Sequence, residues 1–336
     1  MVTALWLSLG AMCAAWAALV LWMRHEARAV EIETVDLRGR DQGNGARVAL
    51  IADVHVKLLR VKAATAARLV AGTRPDAVVL AGDYIDNGKD ITAFVAWLGA
   101  IVEALGGVGE KSDAREKGDA RAGTPPFYMC LGNHDMRAFE RHPQARKQFM
   151  GSMRAIGVRV LDEASHAFEC RGKLYAVTGY RDLYSRRARA DGRAALVGAQ
   201  IGASYRVGLA HNPDFALDVA RMRPREKPDL LLCGHFHGGQ IWTPFKLEFM
   251  LLRKEKLCRM GVRRGLHQIC AASAACGAQG GSNGGTQGVT QSVAQGVTQG
   301  GAHNERQLVY ISRGIGCVLF PLRFLSKPEI TLLLLP

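Results

Sequence analysis

Polar residues able to bind metal recur in this chain, in small clusters that each directly follow an apolar run. The clusters contain Asp53, His55, Asp83, Asn133, His134, Asp135, His211, His235 and His237. Imidazole, carboxylate and carboxamide groups without thiolate suit Mn, Fe, Zn or similar divalent ions. Two such ions about 3.5–4 Å apart can hold a hydroxide and neutralise phosphoryl oxygens during in-line displacement. The residue types therefore predict phosphoryl chemistry at a pair of metal ions.

The apolar runs before these clusters have the composition of buried β-strands. They lie at residues 48–52, 77–81, 127–131, 174–178, 207–210, 230–233, 308–311 and 330–335. Helical periodicity occurs between several of them, at residues 62–72, 91–105 and 144–156. This alternation, with strands apolar on both faces, predicts an α/β fold whose sheets are covered by other layers. In such a sheet the carboxyl ends of the strands form one edge, so we expect the clusters to meet there.

The clusters differ in how strongly each indicates a metal site. Asp-Val-His at 53–55 and Gly-Asp at 82–83 are common strings, whereas Gly-Asn-His-Asp at 132–135 and Gly-His-Phe-His-Gly-Gly at 234–239 are rare. The other histidines are expected to be surface or packing residues. They are His25, His142, His166, His267 and His303.

The N-terminus predicts a membrane anchor. Residues 2–23 carry no charge and are rich in Leu, Ala, Trp and Val, and a helix of this length can cross a bilayer core. Basic residues follow the segment, at Arg24 and Arg28, whereas a cleavable secretory signal, the alternative, has them before a shorter apolar stretch. We therefore expect residues 1–28 to form a single-pass anchor in the inner membrane. The positive-inside tendency would place the rest of the chain on the cytoplasmic side.

Residues 45–336 are expected to form one domain with two insertions. Residues 106–126 mix glycines, charges and a proline pair, which predicts a solvated loop. Residues 271–303 are of low complexity with few large apolar side chains, which predicts a disordered insertion. The 8 cysteines include no Cys-x-x-Cys pair, which argues against a structural zinc knuckle.

The net charge of +14 favours phosphates, nucleic acid or anionic lipid as neighbours. No aromatic and basic stripe indicates nucleic-acid binding, so nucleic acid is not the expected partner. In residues 245–267, apolar side chains interleave with lysine and arginine. This segment is expected either to lie in the lipid headgroup layer or to pack on the core as an amphipathic element.

The five clusters, in this order, resemble the motifs of the calcineurin-like metallophosphoesterases. That family has Asp-x-His, Gly-Asp, Gly-Asn-His-Asp or Glu, a lone His, and then Gly-His-x-His. His-Gly-Gly-Gln at 237–240 and Ser-Arg-Gly-Ile-Gly at 312–316 resemble later blocks of its membrane-anchored bacterial branch. The resemblance spans about residues 45–335 apart from the insertions. It implies a four-layer α/β/β/α sandwich. Position 236 is Phe where that branch often has Thr, which leaves the ligands intact but bears on substrate shape.

Carried over by position, the resemblance implies two metal sites that share Asp83. One ion would be held by Asp53, His55, Asp83 and His237, and the other by Asp83, Asn133, His211 and His235. His134 would contact the phosphoryl oxygen or the leaving group, and Asp135 would orient His134.

The resemblance leaves three hypotheses about function. The first is a phosphodiesterase or pyrophosphatase that acts on a membrane lipid, since some anchored members hydrolyse the pyrophosphate of UDP-2,3-diacylglucosamine. The second is a membrane-tethered phosphoesterase for soluble substrates such as cyclic nucleotides or phosphoproteins. The third is a non-catalytic metal-binding scaffold, which the presence of every ligand argues against.

Overall fold

Two six-stranded β-sheets form the centre of the protein. The computed structural model describes residues 2–39, 45–107, 123–181, 202–224, 226–241, 253–270 and 306–336. The strands are β1 Glu31–Asp36, β2 Arg47–Ile51, β3 Ala77–Ala81, β4 Phe127–Cys130, β5 Val158–Val160, β6 Ala164–Cys170, β7 Lys173–Gly179, β8 Tyr205–Leu209, β9 Leu230–Cys233, β10 Gly265–Cys270, β11 Arg306–Ile311 and β12 Glu329–Leu334. The helices are α1 Val2–Glu26, α2 Ala63–Gly72, α3 Ile91–Ala104, α4 Asn133–Arg141, α5 Pro143–Ala155, α6 Phe215–Val219 and α7 Lys256–Arg259.

Most neighbouring strands in each sheet are parallel. The first sheet has the order β1-β12-β2-β3-β4-β5, and β2 to β5 pair in parallel. The second has the order β10-β11-β9-β8-β7-β6, with β7, β8, β9 and β11 parallel. Parallel pairing places the carboxyl ends of these strands at one edge of each sheet, where the polar clusters follow them.

Three layers of buried side chains separate four layers of secondary structure. Between the sheets, residues such as Leu50 and Tyr128 of the first pack with Leu232 of the second. The outer face of the first sheet is covered by α2 to α5. Phe94 of α3 and Phe149 of α5, for example, are buried in this layer. The outer face of the second is covered by α6 and α7. This confirms the α/β/β/α sandwich, because each sheet buries one face against the other sheet and one against helices.

The predicted helices and strands agree with the observed ones to within a few residues, but short or polar strands were not predicted. The first sheet begins at β1, before the domain start expected at residue 45. Its sequence, Glu-Ile-Glu-Thr-Val-Asp, is half charged because β1 lies at the edge of the sheet and only Val35 is buried. Edge strands often carry such charges.

The two predicted insertions fall largely outside the described residues, as do positions 242–252 of the basic segment. The described remainder of that segment forms α7 and the start of β10. Leu257 and Val262 are buried there against the second sheet. This part of the segment therefore packs on the core, as the amphipathic alternative predicts.

Arg323 organises the segment that joins β11 to β12. Its side chain is fully buried, and its guanidinium donates hydrogen bonds to the carbonyl oxygens of Arg313, Gly314, Gly316 and Ser326. A buried guanidinium with several acceptors holds the chain in one conformation, because each lost bond would leave a buried group unsatisfied.

We expect Arg323→Met to destabilise the protein by about 3 kcal/mol, because it leaves several buried carbonyl groups without a donor. The melting temperature, followed by circular dichroism in detergent, should fall by roughly 4 °C. The control is Arg221→Met, whose side chain is 64% exposed and which should shift the temperature by about 1 °C or less. Equal melting temperatures for the two variants would contradict this role for Arg323.

Candidate metal centre

The polar clusters meet where the carboxyl edges of the two sheets come together. Three groups of side chains have potential ligand atoms within 4.8 Å of one another. Asp53, His55 and His237 form the first, and Asp83, His211 and His235 form the second. The third consists of His55, Asp86 and His134. Six of the seven sequence-predicted ligands are thus brought together in the first two groups.

Several of these side chains lie at strained backbone positions. Asp53, His55, Asp83, His235 and His237 have φ angles of 52°, 39°, 59°, 75° and 51°. Non-glycine residues rarely adopt positive φ, and each such position costs on the order of 1–3 kcal/mol. Backbone strain of this kind clusters at functional sites, where it aims a side chain in a direction that relaxed backbone would not allow.

The hydrogen bonds of two histidines fix which ring nitrogen faces the centre. Nδ1 of His211 lies 2.9 Å from the carbonyl oxygen of Ala81, which can only accept, so Nδ1 carries a proton and, in the neutral ring, Nε2 carries the lone pair. Nε2 of His235 lies 2.9 Å from Oε1 of Glu255, so its Nδ1 carries the lone pair. These two lone-pair nitrogens, Nε2 of His211 and Nδ1 of His235, are 3.2 Å apart.

This arrangement fits a bound cation. Two imidazole nitrogens at about 2.0–2.1 Å from one ion lie about 3 Å apart at ordinary coordination angles. Two lone pairs that face each other in a buried site repel unless a proton or a metal ion lies between them. Nε2 of His55 and Oδ1 of Asn133 are also buried without a hydrogen-bond partner. A bound cation would satisfy both atoms by coordination.

Asp83 lies between the first two groups. Its Oδ2 is 3.0 Å from Nε2 of His211 and 3.6 Å from Nε2 of His55. Although burial acts to raise its pKa, the nearby His211 and His55 hold the pKa of Asp83 well below its usual range. The Asp83 carboxylate can occupy this place only because residue 132 is glycine. A Cβ on residue 132 would overlap the carboxylate. An ionised carboxylate between two ligand groups is suited to bridge two metal ions.

The contact that orients His134 comes from Asp86. Oδ1 of Asp86 lies 2.6 Å from Nδ1 of His134, and this hydrogen bond together with the nearby His55 lowers the pKa of Asp86. Asp135 was expected to orient His134. Its buried carboxylate instead accepts backbone hydrogen bonds at 2.9–3.1 Å from Gly132, Asp83, Tyr84 and Ile85. Because α4 begins at Asn133, Asp135 is the third residue of the helix, and its carboxylate caps the helix by accepting from the N–H of Gly132.

Asp86 and Glu255 were missed by the sequence reasoning. Asp86 could have been found, since it lies three residues after Asp83 in the same loop. Glu255 lies in the basic, apolar segment and has no local motif. Burial opposes ionisation, but the hydrogen bond from His235 holds the pKa of Glu255 at about 2, so it accepts as a carboxylate at neutral pH.

Among the described residues, the side chains of the centre differ in exposure. Asp53, His55, Asp83, His211 and His237 are buried. Asn133, His134 and His235 are partly exposed. A substrate would therefore approach past His134 and His235, with the other ligands behind.

Comparison with known proteins decides the family. The calcineurin-like phosphoesterase profile matches residues 46–239, which include every residue of the centre named above except Glu255. The chain belongs to the calcineurin-like phosphoesterases. As a member it is a hydrolase that acts on phosphoester bonds, and the family typically binds divalent metals.

Relatives that match most of the chain have consistent names. An uncharacterized metallophosphoesterase, YkoQ of Bacillus subtilis (strain 168), is 24% identical over 306 residues, which cover 90% of this chain and 89% of the relative. The phosphodiesterase YaeI of Escherichia coli (strain K12) is 24% identical over 301 residues, with 88% and 83% covered. A Danio rerio "Transmembrane protein with metallophosphoesterase domain" is 24% identical over 298 residues, with 86% and 52% covered.

We expect Glu255→Ala to weaken metal binding at the group that contains His235, because the imidazole loses the acceptor that fixes its tautomer. Loss of such an outer carboxylate typically costs about 10–100-fold in metal affinity. Metal content after dialysis against a weak chelator, measured by mass spectrometry, should fall. Glu255→Gln keeps an acceptor and should lose less, and the exposed Glu140→Ala serves as control. Equal metal retention in all three variants would exclude a positioning role for Glu255.

Proposed function

We propose that this protein is a membrane-anchored, two-metal phosphoesterase whose substrate is a lipid-linked phosphoester, such as UDP-2,3-diacylglucosamine. The observation that carries the two-metal part is the position of the Asp83 carboxylate between two ligand groups, beside the His134–Asp86 pair. Ligand groups that share a carboxylate are the arrangement found in two-metal hydrolytic sites.

In this proposal each ion has its own ligand set. Asp53, His55, Asp83 and His237 would hold one ion, and Asp83, Asn133, His211 and His235 the other. The Asn133 carboxamide oxygen, buried without a partner, would be a ligand of the second ion. When bound, divalent ions neutralise phosphoryl oxygens and lower the pKa of water. Nitrogen and oxygen ligands of this kind accept Mn, Fe or Zn.

His134 is placed to act on the substrate from the partly exposed side of the centre. Its Nδ1–H donates to Asp86, which leaves Nε2 for the phosphoryl oxygen or the leaving group. Because Asp86 holds the ring, Nε2 of His134 is presented for proton transfer or hydrogen bonding to the substrate. Asp135 would support this chemistry indirectly, because it ties the loop of Asp83 to the start of α4.

The lipid-linked part of the proposal is supported by α1. This helix is long and apolar enough to cross a membrane, and one relative is named as a transmembrane protein. Its last turn packs on the domain through Met23 and Glu26, which favours a retained anchor over a cleaved signal. The arginines after the apolar stretch favour a cytoplasmic domain at the inner membrane. The alternative is a tethered enzyme for soluble substrates.

If Asn133 is a metal ligand and His134 is the general acid, their substitutions should have different effects on metal content and turnover. Asn133→Ala should lose one metal ion and hydrolysis of bis-p-nitrophenyl phosphate with Mn²⁺. His134→Ala should retain both ions while turnover falls by about 10²–10⁴-fold, the usual contribution of a general acid. Metal content and turnover are measured on the same samples. Loss of metal from His134→Ala would make His134 a ligand, and unchanged turnover would remove it from the mechanism.

The substrate is tested with the full chain in detergent micelles that contain UDP-2,3-diacylglucosamine. Attack of water on the uridylyl phosphorus should release UMP and leave the diacylglucosamine 1-phosphate, both resolved by chromatography. His134→Ala is the matched control and should release UMP far more slowly. If bis-p-nitrophenyl phosphate is hydrolysed but no UMP appears, this lipid substrate is wrong and the soluble-substrate alternative is favoured.

A further inference from the structure

A short segment between β11 and β12 exposes three large apolar side chains. Leu319, Phe320 and Leu325 are 74%, 60% and 50% exposed. Outside α1, the only other exposed large hydrophobic residue in the described part of the chain is Met260. Leu319 and Leu325 also have φ angles of 63° and 55°, a strained backbone conformation that persists only where the surrounding structure fixes it. An exposed apolar cluster of this kind marks a surface that contacts a partner or a membrane.

The same segment holds the end of α1. The backbone N–H of Arg323 donates to the carbonyl oxygen of Met23 at 3.2 Å. The N–H of Ser326 donates to the buried Glu26 carboxylate at 2.8 Å. The rings of Trp22 and Phe324 meet edge to face, with centroids 5.5 Å apart. The exposed cluster therefore lies beside the point where the apolar helix leaves the domain.

We propose that residues 319–325 and the last turn of α1 form one membrane-contacting surface, covered by the headgroup and outer acyl layer of a lipid bilayer. The occupant follows from continuity with α1, which is apolar, long enough to cross a membrane and exposed along most of its length. Apolar side chains next to a membrane-crossing helix gain by burial at the interface. Arg24 and Arg28 are exposed at the same end of the helix, where they suit anionic headgroups.

This surface is joined directly to the metal centre. The N–H of Gly316 donates to the carbonyl oxygen of Asp53 at 2.8 Å, and Oγ of Ser326 donates to the carbonyl oxygen of His237 at 3.2 Å. The buried Arg323 ties the intervening residues together. A bilayer that contacts residues 319–325 would therefore fix the height and orientation of the metal centre. This deepens the proposed function, on which it rests for its lipid substrate.

The test measures the depth of a nitroxide spin label in the full chain, reconstituted in vesicles of phosphatidylethanolamine and phosphatidylglycerol. Phe320→Cys is labelled in a background of Cys13→Ser and Cys276→Ser. The matched control is Gln148→Cys, exposed on α5, which packs near the opposite edge of the first sheet. Native Cys13 in α1, labelled in Cys276→Ser alone, reports on insertion of the helix.

Oxygen concentrates in the bilayer and a nickel chelate stays in water, so their collision rates with the label report depth. The label at 320 should give an oxygen-to-chelate collision ratio severalfold above the aqueous ratio at position 148 and below the ratio at Cys13, which lies near the middle of α1. An aqueous ratio at 320 overturns the proposal, as does a low rate with both probes, which would indicate cover by another protein copy. An aqueous ratio at Cys13 also overturns it, since α1 would not be in the bilayer.

Hydrolysis of bis-p-nitrophenyl phosphate by the same labelled samples keeps the two proposals separate. Retained hydrolysis with an aqueous label at 320 would contradict the membrane surface alone. A membrane-buried label without any hydrolysis by the unlabelled protein would contradict the phosphoesterase proposal alone.

Discussion

The constraint on which the rest of the structure depends is the close packing of buried carboxylates and imidazoles at the joint edge of the two sheets. Such groups cannot stay together in a low-dielectric interior unless cations or well-placed hydrogen bonds compensate them. In this protein the outer nitrogens of two ligands are held by acceptors, the carbonyl oxygen of Ala81 for His211 and the Glu255 carboxylate for His235. The inner atoms of His211, His235 and Asp83 are left to face one another, which is the arrangement that a divalent ion would stabilise.

Holding such a centre requires rigid loops, and two buried charged residues provide them. Asp135 binds four backbone amides and joins the loop of Asp83 to the start of α4. Arg323 donates to carbonyl oxygens in the segment between β11 and β12. That segment makes hydrogen bonds to the backbone of Asp53 and His237. Neither side chain needs to touch a substrate. Each sets the position of the residues that do, because displacements of about 1 Å in such a site are costly for catalysis.

Helix α1 and the centre are parts of one connected structure. The last turn of α1 ends on residues 323–326, and the same stretch contacts the backbone beside the ligands. A long flexible linker would let a tethered enzyme sample many orientations, whereas this connection permits few. For a substrate whose phosphate lies at the bilayer surface, a fixed orientation reduces the entropy that must be lost before reaction. The partly exposed side of the centre, past His134 and His235, is then the direction from which such a phosphate would enter.

The sequence by itself determined the layered α/β fold, because buried strands and amphipathic helices leave periodic apolar patterns. It also indicated the ligand types, because Gly-Asn-His-Asp and Gly-His-Phe-His are rare strings placed directly after strands. It missed β1, since an edge strand buries too little to be apolar. Only the tertiary structure assigned Asp86 to His134 and Glu255 to His235, because these partners are 48 and 20 residues apart. It likewise decided that α1 ends on the 323–326 stretch, a contact that spans 300 residues. Local periodicity reports how much of a segment is buried, whereas pairing between distant side chains depends on how the layers stack.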